Sequence, residues 1–166
     1  MDYYIRRVLI KGLFEKDNDY KIDLSDGCNC IYGGNGTGKT TIINLIVNSL
    51  NGDIEALAPV PFESITIKLA KTGQRRASNF FTLTRKMGKE ARSGVVRLIY
   101  SIEDMKIPTF TIRRGERSDR IREKYGEVTK DLKEYLLSQV KLTHVPLLRM
   151  HDSELYGMQD DKSPVL

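Results

Sequence analysis

Gly33, Gly38, Lys39 and Thr40 stand at the spacing G-x-x-x-x-G-K-[ST] within IYGGNGTGKTTI, residues 31–42. That spacing suits one kind of chemistry. Glycines let a backbone wrap so that successive N–H groups point inward at phosphate oxygens. A helix that starts at the end of the loop adds its positive end to the same place. The lysine can reach β- and γ-phosphates, and the Thr40 hydroxyl can coordinate Mg²⁺. The sequence therefore predicts a nucleotide site that uses ATP and Mg²⁺.

The flanking pattern supplies what such a loop needs. Ile42, Ile43, Ile46, Val47 and Leu50 recur at helical spacing, and Asn51-Gly52 stops the helix. Upstream, residues 4–10 are β-rich, and Tyr20, Ile22 and Leu24 alternate with Lys21 and Asp23. Ser25-Asp26-Gly27 is turn chemistry, and the short apolar run Cys28–Tyr32 reads as a buried central strand. Cys28 and Cys30 then share one face of that strand. With no histidine nearby they make a poor zinc site, and they read as small buried hydrophobes.

A different texture follows. Ile65, Ile67 and Leu69 alternate with polar residues, as do Phe81 and Leu83, Val96 to Ile102, and Phe110 and Ile112. Short polar turns separate them, which predicts an antiparallel meander rather than βαβ units. This also argues against a small P-loop kinase, whose sheet is parallel. Residues 118–140 keep Ile121, Tyr125, Val128, Leu132, Tyr135 and Leu136 on one helical face, weakened locally by Gly126. Leu142–Leu148 reads as a last strand, and the polar stretch from His151 is expected to be poorly ordered.

The chain has 166 residues and a net charge of +5. The charge is uneven: from Lys68 to Lys124, sixteen Lys/Arg face six Asp/Glu, an excess of +10. Such an excess describes either the wet faces of strands and a helix or an anionic partner. Arg75, Arg76, Arg85, Lys86, Lys89 and Arg92 fall around two adjacent turns and form the expected DNA-contacting edge. No apolar run approaches the ~20 residues of a membrane span, and the start lacks a secretory signal. A cytoplasmic protein without a membrane partner is expected.

The loop's filling, Gly33-Gly34-Asn35-Gly36-Thr37-Gly38-Lys39-Thr40-Thr41, resembles the G-x-N-G-x-G-K-[ST]-T form of ABC-type ATPases. The segments LIKGLF, YKIDLSDG and the late HVPLLR extend the likeness. Together they resemble the amino-terminal lobe of the SMC/RecF/OLD-like branch, and within it the AAA-type ATPases of prokaryotic genome maintenance and phage defence. The likeness is specific over residues 5–50 and architectural over 62–149. It implies an α/β fold: a P-loop NTPase, ABC-ATPase-like amino-terminal lobe with an antiparallel β subdomain.

The organisation implied is a single lobe over residues 1–150. It comprises a nucleotide-binding core at 1–52, antiparallel strands at 62–115, a helix at 117–140 and a strand at 141–149, followed by a disordered tail at 151–166. The backbone of Gly36–Thr41 would cradle phosphates, Thr41 would contact the α-phosphate, and groups near Lys11, Leu13 and Phe14 would lie against the nucleotide. The same likeness implies a homodimer or a remaining lobe as partner, and DNA or an effector protein beyond it.

ABC-type hydrolysis also needs a Walker B strand, an LSGGQ-like signature and a switch histidine. The nearest Walker B candidate, LIYSIED at residues 98–104, alternates as an amphipathic strand and turn. No signature run occurs, and His144 and His151 read as ordinary histidines. No convincing catalytic residue is found. The expectation is an ATP-binding lobe completed elsewhere, with a non-hydrolysing nucleotide- or nucleic-acid-binding regulatory module as the alternative.

Overall fold

The computed structural model describes residues 3–32, 34, 36–88, 94–103 and 105–140. Six strands form one sheet: β1 (Tyr3–Lys11), β2 (Tyr20–Asp23), β3 (Ser64–Lys71), β4 (Ser78–Met87), β5 (Val95–Ser101) and β6 (Phe110–Arg113). Their order is β2-β1-β3-β4-β5-β6, and every pairing is antiparallel. From β3 to β6, sequence neighbours are sheet neighbours, as short polar turns require. The long step is β2 to β3, which carries the chain through α1 (Lys39–Asn51) and α2 (Ile54–Leu57). A third helix, α3 (Ser118–Gln139), follows β6.

Alternation along the strands decides which face is covered. Ile65 and Ile67, Phe81 and Leu83, Leu98 and Tyr100, and Phe110 and Ile112 point to one side and are buried. Ser64, Thr66, Thr82 and Thr84 point to the other side and are only half-buried. A period of two allows no other outcome once one face meets helices. Ile42, Leu45 and Leu50 of α1, Ile54 and Leu57 of α2, and Ile121, Tyr125, Leu132 and Leu136 of α3 complete the same core. Each such side chain stabilises by roughly 1.5–3 kcal/mol when fully buried. Gly126 does not interrupt α3, because Tyr125 on one side and Leu132 further on are both packed. Among the described residues, no helix is long and apolar enough to cross a membrane.

One expected element is not formed. Cys28–Tyr32 is an irregular, exposed segment rather than a buried central strand, and both cysteines are exposed thiols. Both edges of β1 are already occupied, by β2 and β3, and no described strand lies beside residues 28–32. Asn29 offers a local alternative to pairing. Its side-chain oxygen accepts from the Ser25 amide at 2.9 Å, and its nitrogen donates to the carbonyls of Ser25 and Gly27, each at 3.0 Å. Short polar side chains compete with ladder hydrogen bonds in this way. The expected strand at 141–149 and tail at 151–166 lie outside the described residues.

Candidate functional site

The glycine loop ends where α1 begins. Gly38 sits before the first residue of the helix with φ of 82°, and Gly36 has φ of 81°. Both are in the left-handed region, which glycine enters without a Cβ penalty. The first α-helical bond runs from the Ile42 amide to the Gly38 carbonyl at 2.9 Å. The amides of Thr40 and Thr41 therefore precede the helical ladder and face the loop's mouth. No side chain caps this end and no acidic residue occupies the first turn. An anion thus meets the helix dipole without a competing carboxylate.

Lys39 is held within the loop. Its ammonium donates to the Gly34 carbonyl at 2.5 Å and lies 3.4 Å from the Thr37 hydroxyl. Thr37 in turn donates to the same Gly34 carbonyl at 2.9 Å. The positive charge is therefore kept over the loop rather than left trailing in solvent. Thr40 is exposed and Thr41 half-buried. Gly36, Thr37, Gly38, Lys39, Thr40 and Thr41 come together here, whereas Gly33 and Asn35 lie outside the described residues.

The turn between β1 and β2 supplies a neighbour that no sequence motif singled out. Leu13 is fully buried, but Phe14 is 52% exposed and adopts φ of 66°. The reversal is pinned by the Leu13 amide on the Asn18 carbonyl at 3.0 Å and the Phe14 amide on the Pro61 carbonyl at 2.8 Å. Asn18 also donates through its side chain to the Leu13 carbonyl at 2.8 Å. The ring edge of Phe14 comes to 4.0 Å from where a Gly38 Cβ would stand. Positive φ is uncommon for a bulky residue and marks a position fixed by its surroundings. Of Lys11, Leu13 and Phe14, the fold thus brings Phe14 to the loop.

Other expected residues lie elsewhere. Leu98, Tyr100 and Ile102 are buried on one face, and Glu103 is exposed in the turn after β5. Asp104, His144 and His151 lie outside the described residues. The Tyr100 hydroxyl donates to the Ser49 carbonyl at 2.9 Å, in the last turn of α1. By helical rise that anchor is about 15 Å along α1 from Lys39. The end of β5 therefore serves the far end of the helix, which fits a strand and turn rather than a Walker B element.

The basic edge is also divided. Arg75 and Arg76 precede β4, while Arg85 and Lys86 lie near its other end. A strand of that length holds them about 30 Å apart. The two turns adjoin in sequence but occupy opposite ends of the sheet. Arg85 is further withdrawn: its guanidinium donates to the Ala58 carbonyl at 3.2 Å, and partial burial lowers its pKa from the ordinary arginine value. Lys89 and Arg92 lie outside the described residues.

Residues 10–162 match the family described as AAA domain. The match spans well over half of the 166 residues. The chain belongs to the AAA domain family. No curated protein matches it. The membership makes this chain a nucleotide-binding, ATPase-like module, and such AAA domains generally use ATP and Mg²⁺. The residues present fit that pair: the donors and Lys39 suit a polyphosphate, and the exposed Thr40 hydroxyl beside them suits its metal.

Proposed function

We propose that this AAA domain is the nucleotide-gripping lobe of an SMC/RecF/OLD-like ATPase, with the hydrolytic groups supplied by a second surface. The loop from Gly33 to Thr41 would hold ATP: Gly33, Asn35, Gly36, Thr37 and Gly38 by wrapping the phosphates, and Lys39 by its charge at the β- and γ-phosphates. Thr40 would ligate Mg²⁺, and Thr41 would meet the α-phosphate. Phe14 would present its exposed face to the base. The second surface belongs to a homodimer partner or a remaining lobe of the same ATPase. In that setting ATP would close the assembly and its hydrolysis reopen it, in DNA maintenance or phage defence, with DNA or an effector protein sensing the cycle.

The observation that carries the reading is Lys39 held on the Gly34 carbonyl at the uncapped start of α1. It places a positive charge where the loop would meet a polyphosphate, and it supplies nothing that would activate water. Phosphoryl transfer depends on positioned water and on charge placed at the transferring group. Among the described residues of the Walker B candidate itself the only acid is Glu103, whose strand is anchored at the wrong end of α1. The same observation favours the second reading, a regulatory module that binds nucleotide and never hydrolyses it.

Calorimetric titration beside a phosphate-release assay tests the proposal. The chain is expected to bind Mg²⁺-ATP with no significant turnover. Lys39→Ala should weaken ATP about 10- to 100-fold, the effect of losing a charged hydrogen bond. AMP, which lacks the β- and γ-phosphates, should lose less. Steady turnover of ~1 s⁻¹ or faster, abolished by Lys39→Ala, would show that the active site is complete.

A further inference from the structure

The face of the sheet away from the helices is uncovered among the described residues, and its chemistry is one-sided. Strands β4, β5 and β6 contain no aspartate or glutamate. On their outward face lie Lys86, Arg97 and Arg113, all exposed. Lys86 is directly opposite Arg97 in the β4–β5 register. Thr111 is opposite Arg97 across β5–β6, so Arg113 is its diagonal neighbour. Cross-strand partners stand about 5 Å apart and diagonal ones about 7–8 Å.

Like charges placed directly opposite on a sheet are destabilising. No ion pair relieves Lys86 or Arg97 among the described residues. Elsewhere on the same face the sheet manages its cations differently: Arg7, opposite Asp23, is paired with it. The Lys86–Arg97 juxtaposition therefore opposes folding and asks for an external anion.

The positive surface continues around the β6 edge. Thr111 and Arg113 of β6, Arg114 and Glu116 of the following turn, and Arg120 and Lys124 of α3 line an open cleft of about 370 Å³. The acids nearby are already engaged or outnumbered. Glu116 accepts from the Arg113 amide at 2.8 Å, and Asp119 pairs with Arg117 at 3.0 Å. Glu123 is the remaining one on this part of α3.

We propose that Lys86, Arg97, Arg113, Arg114, Arg120 and Lys124 form a docking surface for the phosphate backbone of duplex DNA. The surface bends from a sheet face into a cleft, which suits a curved polyphosphate better than a flat lipid headgroup plane. It offers cations and no exposed aromatic ring, so the contact reads backbone charge rather than stacked bases. That selects a duplex over a single strand. Of the edge expected at Arg75, Arg76, Arg85, Lys86, Lys89 and Arg92, the surface includes Lys86, whereas Arg75 and Arg76 lie at the opposite end of β4. It also shares no residue with the glycine loop, so it stands whether or not the nucleotide proposal holds.

The test is fluorescence anisotropy of the full chain with a short labelled duplex across a salt series. Affinity should fall with salt at a logarithmic slope of about −0.9 per phosphate neutralised. The triple variant Arg97→Glu, Arg113→Glu, Arg120→Glu should lose at least about tenfold in affinity, its slope shrinking by about one unit per cation removed. Lys86→Glu is the sharper variant. It converts a like-charge pair into an opposite-charge one, so it should weaken duplex binding while raising the melting temperature. Arg75→Glu with Arg76→Glu should leave affinity within about twofold, since it alters no proposed phosphate contact. Three results would overturn the proposal: duplex affinity unchanged in the triple variant, an equal loss in the Arg75, Arg76 control, or preferential capture by phosphatidylserine vesicles over duplex. Because Lys39→Ala leaves this surface intact, its effect on nucleotide separates the two proposals.

Discussion

The meander from β3 to β6 and the segment from Cys28 to Gly38 are built on opposite terms. The meander is self-sufficient. Every strand in it has a described neighbour, the central inward residues of each are buried, and an aromatic series runs through it to α3. Phe81 lies 5.6 Å from Tyr100, Tyr100 6.2 Å from Phe110, and Phe110 5.1 Å from Tyr125, ring centre to ring centre. The loop segment has as much apolar character at Ile31 and Tyr32, yet Tyr32 is 93% exposed. What separates the two is partners rather than composition. A strand is stable when its backbone and side chains both find neighbours. A loop with the phosphate-binding role proposed for this one would instead keep its donors available for a ligand.

The difference has a direct thermodynamic consequence. Phe81→Ala should destabilise the chain by about 3–5 kcal/mol, because a buried aromatic leaves a cavity that its neighbours fill only partly. Tyr32→Ala should fall within about 0.5 kcal/mol of the parent, as surface changes do. Urea denaturation followed by circular dichroism measures both. A loss above about 2 kcal/mol for Tyr32→Ala, the range of core truncations, would mean that the loop segment is packed, and the contrast between the regions would fail.

This contrast also explains what could be read in advance. The alternations at Ile65–Leu69, Phe81–Leu83, Val96–Ile102 and Phe110–Ile112 each marked a strand because each has one wet face. The stripe from Ile121 to Leu136 marked α3 for the equivalent helical reason. Cys28–Tyr32 was misleading because an apolar run states that a segment could be buried and does not say against what. Phe14 was not selected because only the β1–β2 turn, closed by Asn18 and Pro61, carries it to Gly38. The short α2 went unread, although Asp53 marks its start by accepting from the Ala56 amide at 3.0 Å. Arg76 and Lys86 stand ten positions apart in sequence, and extended geometry alone would have kept them at opposite ends of the sheet.

The junction between the two regions is α1, and its two ends differ as the regions do. The loop end carries Gly38; the core end carries Gly52, with φ of 62° and amide bonds back to the helix. A Cβ at Gly52 would come to 3.4 Å from both the Leu132 side chain and the Thr129 carbonyl. Gly52→Ala should cost about 1–2 kcal/mol, the penalty of a left-handed conformation for a residue with a side chain. Nucleotide affinity should be unchanged, since the loop end is untouched. Thermal unfolding and calorimetry on one variant measure both quantities, and a parallel fall in both would show that the ends of α1 are coupled.

The smallest expected effect tests the same core end through a proton. Tyr100 donates its phenol to the Ser49 carbonyl, and the Ser49 hydroxyl itself donates to the Leu45 carbonyl at 2.6 Å. Burial raises the Tyr100 pKa far above its ordinary value of 10.0, with the Asp53 charge adding to the rise. The folded chain therefore holds this proton where the unfolded chain releases it. The sign follows: stability from Tyr100 is intact below about pH 10 and declines as pH rises beyond the unfolded-state pKa. Tyr100→Phe removes the hydrogen bond and should cost about 1 kcal/mol at neutral pH. It also removes the titrating proton, so the deficit should narrow as the parent weakens in alkali. Unfolding measured at neutral pH and again above pH 10 distinguishes the two effects. A deficit that stays constant or widens with pH would mean that the Tyr100 phenol ionises in the folded chain, and that the core end of α1 is as open to solvent as the loop.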